Sequence, residues 1–161
     1  IAREVTLRKP LIMIKVGETE AGASAARSHT AALSGADNVF DGACRQAGIL
    51  PRDVDILELD DSFSIYPVLS LEAAGLAKRG QGTEWFKNLE KHRIAIATLG
   101  GMKARGNPVA AAGVYQAVEA VLQLRGEAGD CQVKGAKKAL IQCLGGPAAT
   151  AAAHVLEIIT K

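Results

Sequence analysis

The residues best suited to chemistry stand directly after apolar runs or inside a glycine-rich loop. Asp60 and Asp61 follow one apolar run, Cys143 ends another, and Asn107 lies between a glycine and a proline. Carboxylates and thiols transfer protons, and a thiolate is also a nucleophile, whereas an amide only donates or accepts hydrogen bonds. The four side chains therefore predict a site that moves a proton and holds a polarised oxygen, if the fold brings them together.

Each of these residues also has a purely structural interpretation. A cysteine at the end of an apolar run is consistent with a small buried thiol, which would make Cys143 a core residue. Asp60 and Asp61 are consistent with a helix cap and its solvated neighbour. Asn107 is consistent with a turn residue before proline. Residue type alone leaves both interpretations open.

Strand-like and helix-like segments alternate along the chain and must position these residues. Short apolar runs predict strands at 11–16, 54–59, 93–98, 138–143 and 150–158. Helical spacing of apolar residues predicts helices from Asp37 to Ala47, after Ser62, at 83–89 and after Pro108. Residues 17–35 are rich in glycine and small residues and predict a loop with a helical turn, and Asp37 is the expected N-cap of the helix that follows.

The order of these segments predicts an α/β fold with a mixed sheet of about five strands flanked by helices. Crossover helices imply parallel early strands, whereas a Gly-Gly-Pro turn between the last two strands predicts an antiparallel pair. Ligands bind such sheets at the carboxyl ends of strands. The loops at 60–62, 100–108 and 143–147 leave those ends, so we expect a ligand there. We expect one compact domain over residues 1–161.

Composition and charge exclude several classes of function. The net charge of +2 and an aromatic fraction of 4% do not predict a nucleic-acid surface. No apolar run approaches the ~20 residues of a membrane span, and no spacing predicts a metal site. Three cysteines without a Cys-x-x-Cys pair favour reduced thiols in a cytoplasmic protein. A start at Ile1 rather than Met favours a processed chain or a piece of a longer one.

Three ordered stretches resemble the C-terminal half of the thiolase superfamily, especially its archaeal and sterol-carrier-protein type. They are AGILPRDVDILELDDSF, GGMKARGNPVAAAG and ALIQCLGGPAATAAAHVLE, and the resemblance runs from about Phe40 to Ile159. It implies a thiolase-like fold and an acyl-CoA C-acyltransferase of the acetyl-CoA acetyltransferase type, acting in lipid metabolism. It also implies a coenzyme A thioester as substrate, with no bound cofactor.

The resemblance assigns roles to the candidate residues one by one. Cys143 matches the acid/base cysteine of the family's Cys-x-Gly-Gly motif. Asn107 replaces the histidine of the family's Gly-His-Pro motif, so it cannot be a base but can donate a hydrogen bond to a thioester oxygen. Asp60 replaces the motif's Asn or His, and Asp61 matches the acidic residue after it. The nucleophilic cysteine of the family belongs to its N-terminal half, which this chain lacks.

Five glycines in the same motifs are expected to border the coenzyme A thioester. They are Gly100, Gly101, Gly106, Gly145 and Gly146.

Residues 1–48 resemble a different family, the nucleoside-diphosphate-forming acyl-CoA synthetases. The stretch KPLIMIKVGETEAGASAARSHTAALSGADNVFDGACRQAGI carries this resemblance. The histidine of the synthetases' Ser-His-Thr motif is a phosphohistidine, and the matching residue here is His29. Ala31 replaces the glycine that follows in that family. We therefore expect a synthetase-like opening segment, 1–48, joined to a thiolase-like remainder, 49–161.

Three functions stay open on these residues. The first is a thiolase-like acyltransferase domain within a larger acyl-CoA-metabolising assembly, inactive as an isolated chain. The second is a non-catalytic module that binds acyl-CoA or pairs with a partner. The third is a synthetase fragment with phosphohistidine chemistry at His29. We expect a homo-oligomer or a partner subunit carrying the missing thiolase half, and an exposed apolar face for that contact.

Overall fold

The computed structural model describes residues 12–21, 34–146 and 148–159. Their strands are β1 (Ile12–Ala21), β2 (Ile56–Glu58), β3 (Ala95–Ile96), β4 (Lys138–Gly145) and β5 (Thr150–Ile158). Their α-helices are α1 (Ser34–Ala47), α2 (Ile65–Ala73), α3 (Gly82–Lys87), α4 (Gly101–Arg105) and α5 (Ala112–Leu124). No helix within these ranges is long and apolar enough to cross a membrane.

The five strands form one mixed sheet in the order β1-β5-β4-β2-β3. β2 pairs in parallel with both β3 and β4, whereas β4 pairs antiparallel with β5 and β5 antiparallel with β1. The predicted fold class and the antiparallel final pair are confirmed. Because the carboxyl end of β2 lies beside that of β4, the residues that follow these strands share one edge of the sheet.

Two clusters of buried side chains cover the two faces of the sheet. On one face, α1, α2 and α3 pack against strand residues that include Leu57, Leu140 and Val155. On the other, Ala120 and Leu124 of α5 pack against Ile56 and Ile141. Alternate residues of β2 therefore point to opposite layers, as a period of two requires. α5 lies across the strands on the face that Glu58 shares with Ile56.

Three predicted boundaries were wrong. β1 continues to Ala21, where the sequence predicted a loop from residue 17, because its antiparallel ladder with β5 overrides the weak strand preference of glycine and small residues. α1 begins at Ser34, so Asp37 lies inside the helix rather than at its N-cap. The predicted loop 100–108 contains the short helix α4, which begins at Gly101.

Candidate functional site

A cavity of about 560 Å³ opens at the edge of the sheet where β2 and β4 end. Its walls come from the turn after β2, the loop between α4 and α5, the start of α5 and the hairpin between β4 and β5. Three predicted catalytic residues, Asp60, Asn107 and Cys143, line it together with Gly145 and Gly146. The fold thus brings Asp60 together with Cys143, which is 83 positions further along the chain.

Cys143 lies against the first turn of α5. A Cβ added to Gly113 would stand 3.3 Å from both Cβ and Sγ of Cys143, so the glycine lets the helix backbone approach the thiol closely. Burial raises the pKa of the Cys143 thiol, the negative charge of Asp60 raises it further, and a hydrogen bond from the Gly113 backbone opposes both. The net rise in pKa keeps the thiol protonated at neutral pH, as suits a proton donor better than a resting nucleophile.

Asp60 joins the turn after β2 to the end of β4. It is 3% exposed. Its Oδ1 accepts hydrogen bonds from the backbone N–H, at 3.0 Å, and the hydroxyl of Ser62. Its Oδ2 accepts the N–H of Leu144 at 3.4 Å, directly after Cys143. The Asp60 carboxylate therefore fixes the backbone next to Cys143, and its charge also raises the pKa of the Cys143 thiol.

Asn107 is held by a tight turn at the cavity mouth. Its Oδ1 accepts the backbone N–H of Val109 at 2.9 Å. Val109 has a φ of 52°, a left-handed conformation that costs energy in a β-branched residue, and its side chain is 77% exposed. With its oxygen used in the turn, the amide has its N–H donors left for a ligand.

Asp61 lies apart from this cavity. Both of its carboxylate oxygens accept the backbone N–H of Met102 at 3.0 Å, in the first turn of α4. A Cβ on Gly101 would overlap Asp61 Oδ2, and one on Gly100 would overlap the Ala104 methyl, so close packing within the protein explains both glycines. Asp61 therefore caps α4 rather than the helix after Ser62, and its neighbour Asp60 is buried rather than solvated.

The other predicted site residues are placed as follows. Gly106 connects α4 to the Asn107 turn with a φ of 87°, a conformation that favours glycine, and it is not among the residues that line the cavity. Gly145 packs against Thr150. His29 lies outside the described residues.

Behind the cavity lies a buried ionic cluster that sequence reasoning missed. Arg105 Nη1 donates to both carboxylate oxygens of Glu119, at 2.9 and 2.8 Å, and the two side chains are 11% and 9% exposed. Glu58 at the end of β2 is 1% exposed. Burial, followed by the charge of Glu119, raises the pKa of Glu58 to about 8. The sequence does carry a signal of this cluster. Glu58 on β2 and Glu119 on α5 stand at positions where the pattern of each element places apolar residues.

Large apolar side chains are exposed around the cavity mouth and on the outer side of α5. Phe63 and Val109 line the mouth and are 62% and 77% exposed. Val114, Tyr115 and Val118 of α5 are exposed as well. An exposed apolar surface at this place is typical of a protein interface, as the sequence led us to expect.

Comparison with known proteins finds a thiolase-related family and relatives that match part of their length. A family described as "Thiolase C-terminal domain-like" matches residues 17–158. The "Acetyl-CoA acetyltransferase" of Methanothermobacter thermautotrophicus is 39% identical over 128 residues, which are 78% of this chain and 32% of that protein. "Sterol carrier protein 2" of Homo sapiens is 42% identical over 103 residues, which are 62% of this chain and 19% of that protein.

A solved structure described as "Ltp2-ChsH2(DUF35) aldolase" has the same fold. Its TM-score is 0.81 at 22% identity, and the match covers 97% of this chain and 42% of that one. The chain spans about a third or less of the length of the two relatives named above. The family match takes in residues 17–48, and the synthetase resemblance of that segment gains no support from these matches.

Proposed function

Because the chain belongs to the thiolase C-terminal domain-like family, we propose that it is the C-terminal part of a thiolase-type acyl-CoA C-acyltransferase assembly. Its cavity would hold the thioester end of an acyl-CoA. The observation that carries this proposal is the meeting of Cys143, Asn107 and Asp60 around one cavity at the start of α5. A proton donor, a neutral hydrogen-bond donor and a carboxylate are what thioester chemistry needs beside a separate nucleophile.

The roles follow from the contacts of each group. Cys143 carries a proton at neutral pH. When a nucleophile from elsewhere attacks the β-carbonyl of a 3-ketoacyl-CoA and the Cα–Cβ bond breaks, Cys143 would give this proton to the α-carbon of the departing enolate. In the reverse direction its thiolate would remove that proton, and a raised pKa makes the thiolate a stronger base. The amide N–H of Asn107 would donate to the thioester oxygen, on which negative charge develops. Asp60 is a positioning residue, since it holds the Leu144 backbone and raises the Cys143 pKa.

The nucleophile would come from elsewhere in the assembly. Cys44, on α1, is buried in the core, and the exposed Cys131 does not line the cavity. A partner subunit, a second copy or an upstream segment would therefore supply a cysteine across the cavity mouth. The exposed apolar residues there, with Phe63 and Val109 at the rim, are suited to contact that partner. The isolated chain would then have no thiolase activity.

A second candidate is a non-catalytic module that binds acyl-CoA or pairs with a partner. The observation favouring it is Asn107, which stands where the family motif has a histidine and cannot accept a proton. The first candidate and the acyl-CoA-binding form of the second place an acyl-CoA in the same cavity. They differ in whether Cys143 moves a proton.

The test measures proton exchange and binding separately in the complete assembly, purified with its partner chains. Exchange of the α-protons of acetyl-CoA in D₂O, followed by NMR, reports proton transfer, and calorimetry reports binding. We expect Cys143→Ala to slow the exchange about 100-fold or more while it leaves binding nearly unchanged. Cys131→Ala, which alters an exposed thiol outside the cavity, is the matched control and should change neither.

The two outcomes separate the candidates. Exchange at the wild-type rate in Cys143→Ala, with binding intact, would favour the non-catalytic module. Absence of acetyl-CoA binding to the wild-type assembly would overturn the first candidate and the acyl-CoA-binding form of the second, and would leave only partner pairing.

A further inference from the structure

The buried triad formed by Glu58, Arg105 and Glu119 connects the two sides of the cavity. Arg105 ends α4 and stands two residues before Asn107, whereas Glu119 lies on α5, whose first turn contacts Cys143. Both oxygens of Glu119 bind the same guanidinium nitrogen, at 2.8 and 2.9 Å. This ion pair is therefore a direct attachment of the Asn107 loop to the helix that carries the opposite wall.

Glu58 approaches this ion pair from the sheet. It is the last residue of β2 and stands two residues before Asp60. It is 1% exposed, and in the described part of the chain neither of its oxygens receives a hydrogen bond. A carboxylate without donors in such a place is unfavourable, whereas a neutral carboxyl group can donate its proton to Glu119. Glu58 accordingly holds a proton in the folded state.

The charged groups around Glu58 agree with this assignment. Burial and then Glu119 on α5 raise its pKa, to about 8, and Asp61 after β2 adds to the rise. Arg105 on α4 opposes it. The residue paired with Glu58 on β4 is Ile141, and Ile96 on β3 pairs with the preceding Leu57; neither carries a charge.

We propose that the buried triad is a proton-dependent positioning device, which holds the Asn107 loop in place while Glu58 is protonated and releases it when Glu58 ionises. With Glu58 neutral, one guanidinium balances one carboxylate. After Glu58 loses its proton to solvent, two carboxylates compete for that guanidinium. Arg105 Nε and Nη2 are buried without a hydrogen-bond partner in the described structure, so Arg105 has donors with which to turn from Glu119 toward Glu58.

The consequence for ligand binding rests on the proposed function. If Asn107 donates to the thioester oxygen, acetyl-CoA binds only the form in which the loop is held. The apparent Kd then rises as that form is depleted, about tenfold one pH unit above the midpoint of Glu58 ionisation. Glu58, Arg105 and Glu119 are positioning residues in this scheme and do not touch the ligand.

The test follows the Asn107 loop itself, so it does not depend on acyl-CoA binding. We expect the backbone and side-chain amide resonances of Asn107 to shift between pH 6 and 9, with a midpoint near 8, in ¹⁵N-labelled full-length chain. In Glu58→Gln, which keeps the shape and a donor toward Glu119, they should not shift in this range. Glu84→Gln, which removes an exposed carboxylate on α3, is the matched control and should titrate as the wild type does.

A second measurement needs no variant. In chain labelled with ¹³C at glutamate carboxyls, the Glu58 signal should be that of a neutral acid at pH 6. Ionisation of Glu58 below pH 6, or an Asn107 shift that persists in Glu58→Gln, would overturn the proposal. If the Asn107 titration is found but acetyl-CoA does not bind at any pH, the triad is upheld and the proposed function has failed.

Discussion

Replacing Gly101 with alanine tests how firmly the turn before α4 holds Asp61. Gly101 has a φ of 59°, and a Cβ at this position would overlap Asp61 Oδ2. The same carboxylate accepts the N–H of Met102 through both oxygens at 3.0 Å. A methyl group must therefore either move the carboxylate off the start of α4 or distort the turn.

The size of the effect follows from two contributions. A left-handed backbone costs a non-glycine residue roughly 1–2 kcal/mol. Loss of a hydrogen bond to a charged group costs roughly 1.5–3 kcal/mol. Gly101→Ala should therefore lower the free energy of unfolding by roughly 2.5–5 kcal/mol. The assay is urea unfolding of the full chain, followed by fluorescence of Trp85, its single tryptophan, and by circular dichroism.

Two further variants separate the contributions. Gly75→Ala is the matched control, because Gly75 has a φ of 67° and nothing within 4 Å of an added Cβ, so only the backbone term applies. In an Asp61→Ala background, where the overlap is relieved, Gly101→Ala should also lower the unfolding free energy only by the cost of the left-handed backbone. If Gly101→Ala costs no more than Gly75→Ala with Asp61 present, the capping role of Asp61 is refuted.

Three other substitutions have defined outcomes. Because Asp60 raises the Cys143 pKa, Asp60→Asn should speed alkylation of Cys143 by iodoacetamide at pH 8, measured by peptide mass spectrometry; a slower rate would contradict the charge effect. The Trp85 and His92 rings stack at 4.0 Å, so His92→Ala should lower the unfolding free energy by about 0.5–1.5 kcal/mol in urea, and an unchanged value would mean that the stack contributes nothing. Asp55 accepts hydrogen bonds from two backbone N–H groups at the start of β4 and from the guanidinium of Arg93. Asp55→Ala should therefore lower the unfolding free energy by about 2–4 kcal/mol in the same assay, and a loss under about 1 kcal/mol would mean that these hydrogen bonds contribute little.

The sequence predicted the sheet well because its strands are short apolar runs with glycine or proline between them. The span of β5 was predicted at 150–158 and is observed as Thr150–Ile158, although its alanines favour a helix locally. The turn before it and the pairing with β4 decide the outcome. β1 was predicted too short for the converse reason, since its second half is a strand only because β5 lies beside it.

The candidate site was predictable only as a set of loops. The carboxyl ends of parallel strands gather residues from distant segments, so Asp60, Asn107 and Cys143 could be expected at one edge. The direction of each side chain could not be expected. Asp60 and Asp61 are adjacent, yet one lines the cavity and the other caps α4. Both lie beyond the end of β2, where the strand period of two no longer fixes the direction of a side chain.

The buried triad was beyond reach of the sequence for a similar reason. Glu58, Arg105 and Glu119 lie on three separate elements, and a lone charged residue on an element usually faces solvent. Only the crossing of α5 over the end of β2 brings them together.

The pairing of β1 with β5 has a consequence for how the chain folds. Ala21 pairs with Thr150 and Ile12 with Ile158, so every intervening element lies inside the loop that this pairing closes. Because the entropy of closing so long a loop must be overcome before the contacts form, we expect this pairing to be a late step of folding. α1 packs its apolar side, including Val39 and Phe40, in the same cluster as Ala153 and Val155 of β5. During synthesis, the apolar side of α1 is therefore incompletely covered until β5 leaves the ribosome, and aggregation competes with folding in that interval.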